Sequence, residues 1–277
     1  MAYKRILTIQ DISCFGQCSL TVALPVISAC SHETCILPST VLSTHTGGFS
    51  GYTVKDLSGD FPAIKDHWLK EGISFDAIYT GYLGSTKQIE YVCDIFATLK
   101  RDDAKIIVDP AMADNGKLYS GFDEEYVKGM AYLCSKADVV LPNITEACLM
   151  TGVEYREEYD KSFIDMLISK LSEFCSGTII ITGATYGDSK VHVVIDKNGE
   201  QTEYIHKRIG KSFPGTGDVF SSAFVGAYMQ DKTIEEAVQI ASNFTVACIE
   251  NTIDDKSHWY GTKFETAIPK LISMLGL

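Results

Sequence analysis

The run Phe213-Pro214-Gly215-Thr216-Gly217-Asp218 stands directly before Val219-Phe220-Ser221-Ser222-Ala223-Phe224-Val225-Gly226-Ala227, a small-residue stretch with helical character. Two glycines let backbone N–H groups turn inward without obstruction by a Cβ, and a helix starting there adds its own unpaired N–H groups and the positive end of its dipole. Such a place suits a phosphate. A carboxylate inside it repels the ligand unless it has work to do, such as taking a proton from an attacking hydroxyl. The combination suggests phosphoryl transfer. On these residues alone a second reading stays open, in which Thr216 or Asp218 simply caps a helix after a Pro-Gly turn.

Other strand-like runs end in groups that can meet a ligand. Ile106-Ile107-Val108 ends in Asp109-Pro110, followed by Ala111-Met112-Ala113-Asp114-Asn115-Gly116-Lys117-Leu118-Tyr119. These acids either face the ligand edge of a sheet or belong to a turn opened by Asp-Pro and closed by Asn-Gly. Val139-Val140-Leu141 ends in Pro142-Asn143-Ile144-Thr145-Glu146, which puts Asn143 and Glu146 on one face of a helix start. They can organise a hydrated Mg²⁺, which keeps most of its waters, or form a capping box, or both. Thr182-Gly183 closes another strand where nucleotide phosphates can sit, and Thr80-Gly81-Tyr82-Leu83-Gly84-Ser85 presents Tyr82 as a platform for a planar ring; a plain loop accounts equally well for either. The P-loop, Rossmann, α/β-hydrolase and zincin signatures are all missing.

The elements that must hold these groups alternate from the start. Strand-like runs at 5–9, 34–37, 77–80, 105–108, 138–141 and 178–182 are interleaved with helical patterns at 19–29, 86–99, 123–134, 145–150 and 162–175. This is βαβ order. It predicts an α/β, three-layer αβα fold with a mostly parallel central sheet and the site along one edge. The runs 191–195 and 202–205 flank Asp196-Lys197-Asn198-Gly199-Glu200, a hairpin signal. Helices are expected at 216–230, 233–250 and 263–275, the second opening with Thr233 and Glu236 in capping-box order.

With 277 residues, 45% of them hydrophobic, the chain can bury a full core, and one domain over 1–277 is expected. The balance of 24 basic against 36 acidic residues leaves a net charge of −12, which argues against nucleic acid or an anionic membrane as partner. An anionic substrate then needs local donors and a cation. Nine cysteines without a C-x-x-C pair, and a start at Met1 to Arg5 that leads directly into a strand, indicate a reducing cytoplasm. Cys14 and Cys18 lack histidine partners at ligand spacing and are expected to be buried or idle thiols. No apolar stretch approaches the roughly 20 residues that span a bilayer.

Taken together and in order, these segments resemble the ribokinase-like superfamily, and within it the pyridoxal kinases. The resemblance runs over nearly the whole chain and is carried by Ile9-Gln10 with Gly16, Ser43-Thr44-His45-Thr46-Gly47, Gly81-Tyr82-Leu83-Gly84-Ser85, Asp109-Pro110 with Asp114 to Tyr119, Pro142-Asn143 with Glu146, and Gly215 to Asp218. It implies ATP as co-substrate and Asp218 as the base for the 5′-hydroxymethyl group of a B6 vitamer, with the Gly215, Thr216 and Gly217 backbone around the transferring phosphoryl group. It further implies Mg²⁺ organised by Asn143 and Glu146 with Asp109 and Asp114 near the phosphates, and Tyr119 and Thr182 toward the nucleotide. His45, Thr46 and Tyr82 would border the vitamer ring. A monovalent cation such as K⁺ and a homodimer also come from the resemblance only.

One departure is informative. Many pyridoxal kinases read Gln-Ser after the first strand, the serine meeting the ring nitrogen, whereas here Gln10 is followed by Asp11. A carboxylate there either pairs with a protonated pyridine nitrogen or turns away as a cap. The nearest rival, hydroxymethylpyrimidine kinase, commonly has cysteine where Asp218 stands. Sugar and nucleoside kinases carry an early Gly-Gly motif that is absent here before Gly47-Gly48. A vitamer or nucleotide sensor on the same fold is the non-enzymatic alternative, and it is disfavoured by the joint presence of Asp218, Asn143 and Glu146.

Overall fold

The computed structural model describes residues 3–187 and 190–277, so Met1 and Ala2, which precede the first strand, lie outside the described residues. The strands are β1 Arg5–Ser13, β2 Glu33–Leu42, β3 Val54–Asp56, β4 Phe75–Thr80, β5 Lys100–Val108, β6 Ala113–Asp114, β7 Lys117–Leu118, β8 Val139–Val140, β9 Thr178–Ala184, β10 Lys190–Lys197 and β11 Glu200–Lys207. The helices are α1 Leu20–Ala29, α2 Phe61–Lys70, α3 Thr86–Thr98, α4 Glu124–Cys134, α5 Ile144–Thr151, α6 Lys161–Leu171, α7 Thr216–Met229, α8 Ile234–Glu250 and α9 Ile268–Leu275.

The described residues form a nine-stranded sheet in the order β11-β10-β9-β8-β5-β4-β1-β2-β3, parallel from β9 through β2 and antiparallel at both margins. Successive residues of its strands feed opposite faces. Leu7, Ile9, Ile78, Ile106, Val108, Ile179 and Ile181 pack with α3, α4, α5 and α6, while Ile6, Ala77, Tyr79, Ile107 and Ile180 pack with α1, α7, α8 and α9. This period of two, buried on both sides, makes the three-layer αβα architecture.

Some elements exceed what the pattern predicts. β1 extends past Ile9 to Ser13 because Ile12 and Ser13 resume pairing with Val41 and Leu42 after a register shift at Gln10/Ile12. Asp11 sits in that bulge, which re-aims its side chain. β3 and α2 were not expected; β3 is exposed throughout, and α2 buries Phe61 fully while Ile64 and Trp68 on the same face pack partly buried against the core. The segment after Asp109-Pro110 folds as a small β6-β7 hairpin, with Asn115 and Gly116 both at positive φ. The predicted second hairpin forms as β10-β11 around Asn198-Gly199, also both at positive φ. The last expected helix is split: Phe264–Ala267 is a 3-10 turn, and α9 begins afresh with Pro269 in its first turn.

Candidate active site

Parallel strands share one direction, so their C-terminal ends open on the same side of the sheet. There the loops enclose a cavity of about 780 Å³, and every residue singled out from the sequence lines it: Asp11, His45, Thr46, Tyr82, Asp109, Asp114, Tyr119, Asn143, Glu146, Thr182, Gly215, Thr216, Gly217 and Asp218.

The floor is the start of α7. Gly215 holds φ +77°, and a Cβ there would stand 2.0 Å from the Gln17 carbonyl oxygen, so only glycine fits. No side chain caps α7, and its first backbone bond, from the Val219 N–H to the Gly215 carbonyl, leaves the earlier N–H groups for the cavity. Gly217 faces open space. The capping alternative for Thr216 is not realised; its hydroxyl donates to the Phe213 carbonyl instead.

Carboxylates dominate the walls. Asp218 is pushed up to about 8 by desolvation in the enclosed cavity, with Asp109 and Asp11 adding to the rise and the Ser19 N–H opposing it. Asp109, on the loop after β5, is lifted by burial to about 6 although the Ser221 hydroxyl donates to its Oδ2 at 2.7 Å. Glu146 is buried and raised well above the usual range, first by burial and then by the charge of Asp109. It also completes the capping box: Glu146 Oε2 accepts from the Asn143 N–H and Asn143 Oδ1 from the Glu146 N–H, while Oε1 takes the Met112 N–H. The Asn143 amide meanwhile donates to the Ala113 carbonyl. The capping reading of this pair is therefore real, and it fixes both side chains at the cavity wall. Thr182 is tied alongside by its N–H to the Pro142 carbonyl. Asp114 is exposed, and its Oδ1 accepts from the Asn115 N–H.

At the opposite end, Asp11 is buried, raised by that burial, and receives hydroxyl bonds from Ser19 and Ser13, the latter at 3.0 Å. His45 is fully engaged: Nδ1 accepts from the Gly47 N–H at 3.1 Å, which puts the proton on Nε2, bonded to the Tyr260 carbonyl at 2.7 Å. It therefore offers the cavity a ring face and no free nitrogen. Gly16, at φ +97°, makes room for that ring, since a Cβ there would meet His45 Cδ2 at 2.1 Å. Tyr82 packs against Phe122, and desolvation lifts its hydroxyl to about 12. Thr46 and Tyr119 are the exposed rim.

Sequence reasoning missed three contributors. Ser221 lies three residues after Asp218, a helical spacing that was available to read. Ser19, at φ 53° in a region unusual for a non-glycine residue, carried no local signal. Arg208, the one Lys or Arg side chain among the described lining residues, follows β11 and arrives through the hairpin.

The fold and this cavity define a small-molecule kinase of the ribokinase-like class, since the strand ends present an anion-binding helix start and an acid base together. The chain belongs to the phosphomethylpyrimidine kinase family, whose model matches residues 40–262. A Dictyostelium discoideum pyridoxal kinase is 25% identical over 86% of this chain and 84% of its own. Among solved structures, a Bacteroides thetaiotaomicron protein assigned as a phosphomethylpyrimidine kinase and crystallised with pyridoxal superposes with a TM-score of 0.92 at 33% identity, covering 98% of this chain and 96% of that one. Lactobacillus plantarum pyridoxal kinase gives a TM-score of 0.91 at 27% identity over 99% and 98%.

Proposed function

We propose that the protein transfers the γ-phosphoryl group of ATP to the 5′-hydroxymethyl group of a B6 vitamer, pyridoxal, pyridoxine or pyridoxamine, yielding the 5′-phosphate for pyridoxal phosphate salvage. The observation that carries this reading is Asp218, a carboxyl group poised at about 8 directly above an uncapped, glycine-built helix start. A base of that strength is matched to a hydroxyl that becomes acidic only as it attacks.

Asp218 takes the proton from the hydroxymethyl oxygen. The N–H groups of Gly215, Thr216 and Gly217 hold the transferring group's oxygens and stabilise the charge that develops on them. Arg208 meets the nucleotide phosphates, with Thr182 and Tyr119 on the same side. Asp11 faces the ring nitrogen, with His45, Thr46 and Tyr82 around the ring. Asp109, Glu146, Asn143 and Asp114 face the polyphosphate; Asp109 and Glu146 are buried, and the charge of Asp109 adds to the rise of Glu146, so a cation beside them favours their ionised forms. Among the described residues no three His, Cys, Asp or Glu side chains converge as a direct ligand set. The donors therefore fit a Mg²⁺ that reaches the protein largely through its own waters. When bound, that ion neutralises phosphate charge.

A monovalent cation such as K⁺ and a homodimer belong to the same reading, tested by activity in K⁺ against Na⁺ and by sedimentation. A reducing compartment such as the cytoplasm fits the nine cysteines, all free thiols. No helix among the described residues is long and apolar enough to cross a membrane. The whole chain is taken as one kinase domain.

The test is an ATP- and Mg²⁺-dependent phosphorylation assay run in parallel on pyridoxal, pyridoxine, pyridoxamine and hydroxymethylpyrimidine. Preference for one or more vitamers supports the reading. Turnover confined to hydroxymethylpyrimidine moves the protein to that activity, for which the family description also speaks.

A further inference from the structure

Two parts of the site are held by a stretch of chain that does not line it. Among the described lining residues of the cavity none lies beyond Ser221, yet Tyr260 supplies the carbonyl that takes the His45 Nε2 proton at 2.7 Å. The same stretch grips Gln17. Gln17 Nε2 donates to Glu265 Oε1 at 2.7 Å, and because a carboxylate only accepts, this fixes the amide so that its Oε1 takes the His258 Nε2 proton at 2.8 Å. Gly261 lets the chain lie against Gln17, since a Cβ there would stand 2.8 Å from Gln17 Cβ and 2.9 Å from its Oε1. The Gln17 carbonyl is in turn the atom that bears on Gly215 at the start of α7. On the other side Trp259 closes over Gly48, whose φ of +86° and missing Cβ leave room for the indole. Phe49 fills the gap, its ring centroid 5.0 Å from that of His45 and 4.7 Å from that of Trp259.

Residues 258–265 are themselves anchored. The Lys263 N–H donates to Thr252 Oγ1 at 2.8 Å and Lys263 Nζ to Asp255 Oδ2 at 2.7 Å, while the Thr252 hydroxyl donates to the Cys248 carbonyl in α8. A buried histidine with both ring nitrogens bonded to backbone groups cannot turn without orphaning an N–H. We propose that residues 258–265 form a brace that positions the vitamer end of the site. Tyr260 fixes the His45 ring, and His258 and Glu265 fix the turn at Gln17 that bears on Gly215, so the ring platform and the anion floor keep one spacing. That spacing holds the hydroxymethyl oxygen in line with the transferring group. The inference rests on the reading of His45 as a border of the vitamer ring. Gln17, His258, Tyr260 and Glu265 are positioning residues, since none of them touches the reacting atoms.

The experiment is steady-state kinetics, with vitamer and ATP varied separately, and melting temperatures on Gln17→Glu, Glu265→Gln, the two together, and Gly261→Ala. Gln17→Glu alone sets two carboxylates against each other. Combined with Glu265→Gln it exchanges donor and acceptor, and His258 keeps an oxygen to meet. Gln17→Glu is expected to lower kcat about tenfold and raise the vitamer KM about fivefold while the ATP KM stays within about twofold, as a shift of a fraction of an ångström between reacting groups would do. The paired variant should return to within about twofold of wild type, because the two residues act through one contact. Gly261→Ala, whose Cβ wedges the brace off Gln17, should show the same split between the two KM values. A merely structural contact would lower the melting temperatures and leave the vitamer KM unchanged; that result overturns the brace, as does a pair whose effects multiply. A wild-type enzyme that phosphorylates no vitamer overturns the functional reading, and the brace with it.

Discussion

Asp218→Asn separates what this carboxyl group does for catalysis from what it costs the fold. Desolvation in the cavity lifts it from 3.8 to about 8. The folded protein therefore keeps a proton that the unfolded chain releases near pH 4. With the folded value above the unfolded one, the group's stability contribution is complete below pH 4 and is lost as the pH climbs toward 8, at about 1.4 kcal/mol per pH unit. The loss reaches at most about 4 kcal/mol at pH 7, and access of solvent to the cavity reduces it to about 2 kcal/mol. Asparagine imitates the protonated acid at every pH and carries no such loss. In calorimetric scans from pH 5 to pH 8, the variant should melt progressively higher than wild type, by about 2–4 °C per kcal/mol. Over the same range its turnover should fall about 10²- to 10⁴-fold while ATP still binds. A melting difference that does not change with pH would refute the desolvation argument, and near-wild-type turnover would remove Asp218 from the role of base.

The other expectations concern the cavity's two ends and its floor. The kcat/KM of the wild-type enzyme should rise with pH through an acid limb near 8, because the free enzyme must lose the Asp218 proton to act; a flat profile between pH 6 and pH 9 contradicts this. Gly215→Ala should destabilise the protein by more than about 1 kcal/mol, since its positive φ and the Gln17 carbonyl both exclude a Cβ, whereas Gly217→Ala should fold normally and lose activity. Denaturant titrations paired with assays distinguish the two. Arg208→Ala should raise the ATP KM about tenfold with the vitamer KM unchanged, read from initial rates at two salt concentrations. Asp11→Ser should raise the vitamer KM and leave that for ATP alone; an unchanged vitamer KM would show that Asp11 does not meet the ring.

Much of this molecule could be read along the chain because its signals are local. Alternation of apolar runs with helical periods is a property of neighbouring residues, and burial of the sheet on both faces follows from it, so the αβα layering was legible. So was the helix start at Gly215 to Asp218, where glycines and a carboxylate carry their meaning within four positions. The capping boxes at Asn143/Glu146 and Thr233/Glu236 and the Asn198-Gly199 turn formed as their spacing requires. Edge strand β3 escaped because none of it is buried, which leaves no apolar alternation to detect, and α2 escaped because its apolar face is short, Phe61, Ile64 and Trp68 only.

What the tertiary structure alone decided is which distant residues face one another and how strongly their charges interact. Asp11 and Asp218, far apart along the chain, share one enclosed space because parallel strands deliver their C-terminal ends to the same side. Asp109 is gripped by Ser221, 112 positions later, only because α7 packs over the end of β5. His45 is locked by Tyr260, a residue with no motif around it. The proton affinities of Asp109, Glu146 and Asp218 are likewise products of packing, because desolvation and the repulsion of nearby carboxylates exist only once the cavity has closed around them. Residue type and spacing named the chemical groups; the fold set their distances and their solvent, and through these the strength of the base.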